Sequence, residues 1–469
     1  MSTRGDHHSS YSQPGTLIMN AYVSNPPGNT MTLKKQAGFS LIELMVALAL
    51  GLIMIAAPLV LYVNISRTNS ELAKTNTQIE NGRFAIQLIQ SDLALAGFWG
   101  GHVPQYDDLT FEVAPGDYPA AVPNPCLAYA SWTSAIKNQM VAMPVQVYGG
   151  TPPSGCSTNF ATNKQANTDL LVVRYAETCL PGMGNCAADS AANVYFQAPL
   201  CEAEFSASVQ AAGANTITLD PASSSTNDFY KDAYITIISG AGVGQSRLVT
   251  AYAGSTKIAT LATNWAPLPD TGSKYTFGSG YVLSTTGHVF HKRNCTTLAD
   301  KRKLVSNIYY VRDWATAVGD GIPTLMRASF DGTSFQAGQA LIEGIEGFRV
   351  ELGIDSLTEA GVAFDPTQAI AWVDPLTKTQ PANRGDGVPD GAYISCTDGS
   401  PCNFNQLPNV VAAKIHVLAR AREVTTGYTD TKTYTLGDTT LGPFNDGFKR
   451  HVFSTTVRLT NVSGRRETP

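Results

Sequence analysis

The hydrophobic pattern divides the chain into three parts. Phe39 to Val63 is an unbroken run of 25 residues in which Glu43 is the only charge. At about 1.5 Å per residue, a helix of that length crosses a hydrocarbon layer of about 30 Å. The pattern then becomes periodic. Ile65, Leu72, Ile79, Ile86 and Leu93 recur every seven residues, with Gly82, Ile89 and Ala96 at the +3 positions and Leu88 and Leu95 widening the stripe. This predicts that the helix continues with one narrow apolar face against a folded domain, stopping at Gly97 and the Gly100-Gly101 pair. Such a helix, 39–96, would be about 87 Å long. Pro58 removes one backbone donor and crowds the preceding turn, so a kink or local melting is expected there.

Beyond residue 100 the period shortens to that of β-strands. Asp169–Tyr175, Leu304–Arg312, Thr324–Phe330, Gly347–Gly353, Val410–Ala421 and His451–Asn461 alternate or run apolar and are rich in β-branched residues. The stretches 101–165 and 355–408 are rich in Pro, Gly, Asn and Asp and read as long connections. The expected fold is α+β: a long N-terminal transmembrane and amphipathic helix packed on a mainly antiparallel β domain.

One block has its own rhythm. Residues 205–278 contain Asn215–Leu219, Asp228–Ile238, Gly240–Thr250 and Lys257–Leu261, which predict about five short strands joined by tight turns. The block reads as a small all-β module inserted into the β domain. It resembles repeated β modules of phage-tail and bacterial surface proteins. The expected divisions are a leader at 1–38, a helix at 39–100, a β domain at 101–204 and 279–469, and the module at 205–278.

Composition sharpens this picture. The chain has 469 residues, a net charge of −5 and no basic block, which disfavours binding driven by nucleic-acid phosphates. Lys34 and Lys35 precede the apolar run, and positive flanks stay on the cytoplasmic side, so the rest of the chain is exported. All eight cysteines, Cys126, Cys156, Cys179, Cys186, Cys201, Cys295, Cys396 and Cys402, follow the run. An even number on the exported side fits disulfides in an oxidising compartment. Spacing leaves the connectivity open, although Cys179/Cys186 and Cys396/Cys402 would close short loops.

A secretory signal places small residues after its apolar stretch. Here Ala37-Gly38 comes before it, and Glu43 lies five residues into the helix. Lys34-Lys35-Gln36-Ala37-Gly38-Phe39-Ser40-Leu41-Ile42-Glu43-Leu44 resembles the type IV prepilin signal. The resemblance implies that a prepilin peptidase and methyltransferase cleaves between Gly38 and Phe39 and methylates Phe39. It also implies that Glu43 neutralises the Phe39 amine of a neighbouring subunit. Met31 to Gly38 alone would form a short basic leader, which favours Met31 as the start.

Asn81-Gly82-Arg83-Phe84-Ala85, Asp92–Gly100, Val305–Arg312, Leu341–Val350 and Phe453–Leu459 resemble the PilW family of minor pilins. That resemblance implies a non-catalytic subunit which helps prime pilus assembly. Its partners would be other minor pilins, the major pilin and a tip adhesin. It would sit in the inner membrane with a periplasmic domain before joining the fibre, and would support adhesion and twitching motility. A pseudopilin of a type II secretion system shares the signal and the helix, and an adhesin or DNA-uptake pilin would act through the module.

Candidate chemistry is sparse. Gly240-Ala241-Gly242-Val243-Gly244 follows a strand, as a dinucleotide loop does, but a β-like run follows it instead of a helix, so a turn is expected. Gly385-Asp386-Gly387-Val388-Pro389-Asp390 resembles half of a calcium loop, with Asp386 and Asp390 as candidate ligands. Ala382 and Arg384 stand where further acids belong, and a surface turn is expected. His288, His291 and Cys295 have zinc-like spacing without an evident fourth ligand. No spacing marks a catalytic triad, and no cofactor is expected.

Overall fold

The computed structural model describes residue 38 and residues 40–110, 114–156, 163–184, 186–200, 207–231, 233–277, 281–285, 290–294 and 296–467. It contains two compact units, Met1–Arg67 and Thr68–Pro469. The long helix α1 (Leu41–Leu95) contributes to both.

In the first unit α1 is helical throughout, including at Pro58, so the local melting expected there does not occur. Apart from half-buried Gly51, Leu41 to Val63 are exposed. The segment therefore has the composition and the unburied surface of a lipid-facing helix, and it is the one helix among the described residues long and apolar enough to cross a membrane.

The second unit is built around two antiparallel sheets. In the first, Val145–Gly149, Asp169–Ala176, Arg302–Arg312, Thr324–Ser329 and Gln339–Glu343 lie side by side in that order. Tyr195–Gln197 and Val282–Ser284 extend it beyond the start of Arg302–Arg312. Every residue of Asp169–Ala176 is buried because both faces of this sheet are covered. Leu171, Val173, Tyr309 and Val311 face one core, shared with Ala85, Ile89 and Leu93 of α1. Leu170, Val172, Ile308 and Tyr310 face another, filled by Trp99, Trp132 and Phe196. Two-sided burial explains why these strands read as continuous apolar runs.

At Gly344 the chain leaves the first sheet and enters the second, in the order Ile394–Ser395, Ile345–Ile354, Val410–Arg420, Arg450–Arg458. Alternate residues Phe348, Val350, Ile415 and Val417 point into the core shared with α1. The final strand ends at Arg458, short of the expected Asn461, and Thr460–Ser463 forms a helical turn. The stretch 101–165 is also more ordered than expected, since it holds the helix Ser134–Ala142, capped by Thr133, and the strand Val145–Gly149.

Among the described residues, the strands between 207 and 277 pair only among themselves. Their order is Ala207–Ser208, Lys274–Phe277, Tyr234–Ser239, Ser246–Ala253, Ile258–Leu261, Thr216–Thr218, Ala211–Gly213. Both ends of that order belong to one short stretch, 207–213, so the sheet closes on itself as a small barrel. Val209, Ile217, Ile235, Ile237, Val249, Tyr252 and Tyr275 fill its interior. Seven strands form where about five were expected, because a break at Val209-Gln210 divides the closing stretch and Lys274–Phe277 carries no long apolar run. Gly240–Gly244 is the turn between two hairpin strands, as expected.

Candidate functional site

Two places on α1 carry the features that define this molecule. The first is its start. The Ser40 backbone N–H donates to Glu43 Oε2 at 3.0 Å, and the Glu43 N–H donates to Ser40 Oγ at 3.2 Å. This reciprocal pair is a capping box, which satisfies two backbone donors that a helix start otherwise leaves open. Glu43 is thus engaged by its own first turn. Gly38 stands in open space, with no atom within 4 Å of where a Cβ would be. Phe39 lies outside the described residues.

The second is the face of α1 within the second unit. Its buried line is Gln78, Gly82, Ala85, Ile89, Asp92, Leu93 and Ala96. Of the heptad stripe read from the sequence, only Leu93 is fully buried. Ile79 and Ile86 are half-buried at the flank, and Leu72 is exposed. The +3 series Gly82, Ile89 and Ala96 marks the true line. Polar residues occupy two of its positions, which is why apolar periodicity misplaced it.

Asp92, only 9 % exposed, is the anchor. Its Oδ1 accepts from Tyr175 Oη at 2.9 Å, and its Oδ2 accepts from Asn307 Nδ2 and Tyr309 Oη, both at 2.6 Å. The three donors stand on neighbouring strands of the first sheet. Burial first, and the Asp92 charge second, push both phenols well above their ordinary range, so they remain protonated donors. Gln78 Nε2 donates to the carbonyls of Ala419 at 2.7 Å and Lys449 at 3.1 Å. Glu71 accepts from Lys449 Nζ at 2.8 Å and Thr425 Oγ1 at 2.7 Å. These bonds, Lys449 foremost, hold its carboxyl down to about 2. Asn461 Nδ2 donates to the carbonyls of Ala94 and Ala96, closing the helix C-terminus. Sequence reasoning missed Gln78, Asp92 and Glu71 in these roles; their one signal was polarity on or beside the +3 series.

The remaining candidates resolve as follows. The structure links Cys126 to Cys156, Cys179 to Cys186 and Cys396 to Cys402, with Cα–Cα separations of 5.3, 6.3 and 5.0 Å. Cys201, Cys295 and His288 lie outside the described residues. Asp390 Oδ2 accepts the N–H groups of Ser356 and Leu357, each at 2.7 Å, and Asp386 Oδ1 accepts that of Val388 at 2.9 Å. Both carboxylates therefore serve turns. The nearby Asp355 accepts from Arg466 and from the Gly387 N–H. With Arg384 buried in the same loop, this donor set does not fit calcium, which needs six to eight oxygens.

A single exposed apolar helix, capped through a glutamate and continuing into a disulfide-bonded sheet domain, is the architecture of a membrane-anchored pilin. The chain matches the family model "Prokaryotic N-terminal methylation motif" over residues 33–57 and "Type IV Pilus-assembly protein W" over residues 308–461. Over those residues the chain is similar to type IV minor pilins of the PilW family. Among solved structures, the type IV-like pilin TTHA1219 from Thermus thermophilus is similar at 17% identity, covering 34% of this chain and 68% of that one, with a TM-score of 0.17. A likeness that low does not inform the fold. No curated protein sequence matches the chain.

Proposed function

We propose that the chain is a minor pilin that primes type IV pilus assembly from the inner membrane and sits near the fibre tip with other minor pilins and an adhesin. A prepilin peptidase cuts between Gly38 and Phe39. The freed and methylated amine of one subunit then meets Glu43 of the next. The observation that carries this reading is Glu43 itself, the one carboxylate on an exposed apolar helix. A charge in lipid is costly unless it finds a partner, and among the described residues Glu43 is engaged by its own first turn. The β domain, tied to the helix through Asp92, Gln78 and Glu71, is carried out with it. Adhesion and twitching motility follow from its place in the fibre.

Mass spectrometry of the mature amino terminus tests the reading: a chain beginning at methylated Phe39 supports it, and an intact leader overturns it. A deletion strain separates the pilus role from a secretion pseudopilin. Lost piliation with normal type II secretion is expected.

A further inference from the structure

On the outer face of the second sheet, three adjacent strands bring together Glu351, His416 and Ser454. His416 and Ser454 are direct cross-strand partners, and Glu351 is diagonal to His416. His416 Nδ1 is 2.8 Å from Ser454 Oγ, and its Nε2 is 2.9 Å from Glu351 Oε2. A carboxylate only accepts, so Nε2 carries the imidazole proton. In the neutral imidazole the Nδ1 lone pair then faces the serine, and Ser454 donates to it. His416 is 5 % exposed and Ser454 is open to solvent, so the base is shielded while the hydroxyl is accessible. A Cβ at Gly437 would lie 2.7 Å from the Glu351 carboxyl carbon, so glycine there leaves the carboxyl group its place.

We propose that Ser454 is a reactive serine, activated by His416 and oriented through Glu351, that accepts acyl groups from carboxylic esters. The strand register supplies a further requirement of such a site. The Leu459 N–H bonds to Val411 O and the Ala421 N–H to Lys449 O. In an antiparallel ladder these bonds alternate, so residues 451, 453, 455 and 457 bond inward. The N–H groups of Ser454 and Thr456 therefore point to the free edge of Arg450–Arg458, where no described strand pairs. An oxyanion formed at Ser454 meets the serine's own amide there. The Ser454–His416 pair is also the kind in which side chains approach most closely across strands.

In the step, the Ser454 Oγ–H proton passes to His416 Nδ1 as Oγ bonds to the acyl carbon. The ester C–O bond then breaks, and the alcohol leaves with that proton. Water, delivered by the same base, later releases the acid and restores the serine. No oxidant or reductant is involved. The sequence could not display this group, because its members lie on three separate strands.

The test uses the full chain in detergent micelles with an alkyl fluorophosphonate, whose phosphorus takes the place of the acyl carbon and whose fluoride leaves. Intact-mass and peptide mapping should find one adduct, on Ser454. Ser454→Ala should abolish it, and His416→Ala should slow it by ~100-fold or more. Glu351→Gln should slow labelling without changing the melting temperature, with part of the rate restored in Glu351→Asp. Two results overturn the proposal. One is the lack of a Ser454 adduct under conditions that fully label a control serine esterase. The other is an unchanged rate in a His416→Ala variant that melts like the parent.

Discussion

The ring of Phe453 occupies the space that a side chain on Gly82 would need. A Cβ at Gly82 would lie 2.2 Å from Phe453 Cε2, far inside contact distance. The helix and the edge strand Arg450–Arg458 meet at this point, and only glycine lets them do so. Gly82→Ala gains helix propensity of up to about 1 kcal/mol but must displace the ring, at about 1–3 kcal/mol. The expected net result is a lower melting temperature, recovered when Phe453→Leu is added. A double-mutant cycle followed by thermal melting checks this.

Asp92 is the second fixed point of the helix. Asp92→Ala leaves Tyr175, Tyr309 and Asn307 as buried donors without their acceptor. The expected loss is on the order of 3 kcal/mol, with a smaller loss for Asp92→Asn, which keeps one acceptor oxygen. Denaturant titration measures both, and equal losses would mean that the second oxygen contributes nothing.

Asp117 makes stability depend on pH. Burial pushes its carboxyl up to about 7, although the Gln105 N–H donates to it at 2.7 Å. Its folded value lies above the unfolded one, so its contribution is fully present below about pH 4 and is lost as pH rises through about 7. Asp117→Asn should therefore melt like the parent below about pH 4, gain on it as pH rises to about 7, and be more stable at pH 8, by on the order of 4 kcal/mol. Melting curves across that range decide the sign.

The disulfides should differ in worth. Cys126–Cys156 closes a separation of 30 residues and Cys396–Cys402 one of 6. Chain-entropy arguments give about 3.5 and about 2.5 kcal/mol respectively. Paired Cys→Ser substitutions, compared by denaturant titration, should show the larger loss for the longer loop.

The proposed assembly gives Glu43 two separable duties. Glu43→Gln retains an acceptor for the Ser40 N–H, as capping boxes with glutamine do, but has no charge to offer a neighbour's amine. We expect it to reach the membrane and to fail incorporation as completely as Glu43→Ala. Immunoblots of sheared fibres and membranes measure this. Normal incorporation of the glutamine variant would reduce Glu43 to a helix cap.

Much of the architecture was readable before folding. The strand Asp169–Ala176 and its neighbours are buried on both sides, so they announce themselves as apolar runs. The line of α1 that meets the sheets was less legible, because Asp92 and Gln78 sit in it. A polar residue looks solvent-exposed until its partners are known, and those partners lie 83 and 341 residues away. The closure of the 207–277 barrel was hidden for a related reason. A strand pairing between 207–208 and 274–275 is a long-range event with no local signature.

The chain's order of residues alone determined the apolar helix, the Gly38–Glu43 motif, the placing of every cysteine after it and the β-rich domain, because each rests on local composition or period. Only the tertiary structure decided which side of α1 is buried, which cysteines meet and which acids hold a buried bond. It alone assembled Glu351, His416 and Ser454 across three strands. Those features depend on distances between residues far apart in sequence, and packing sets such distances where periodicity cannot.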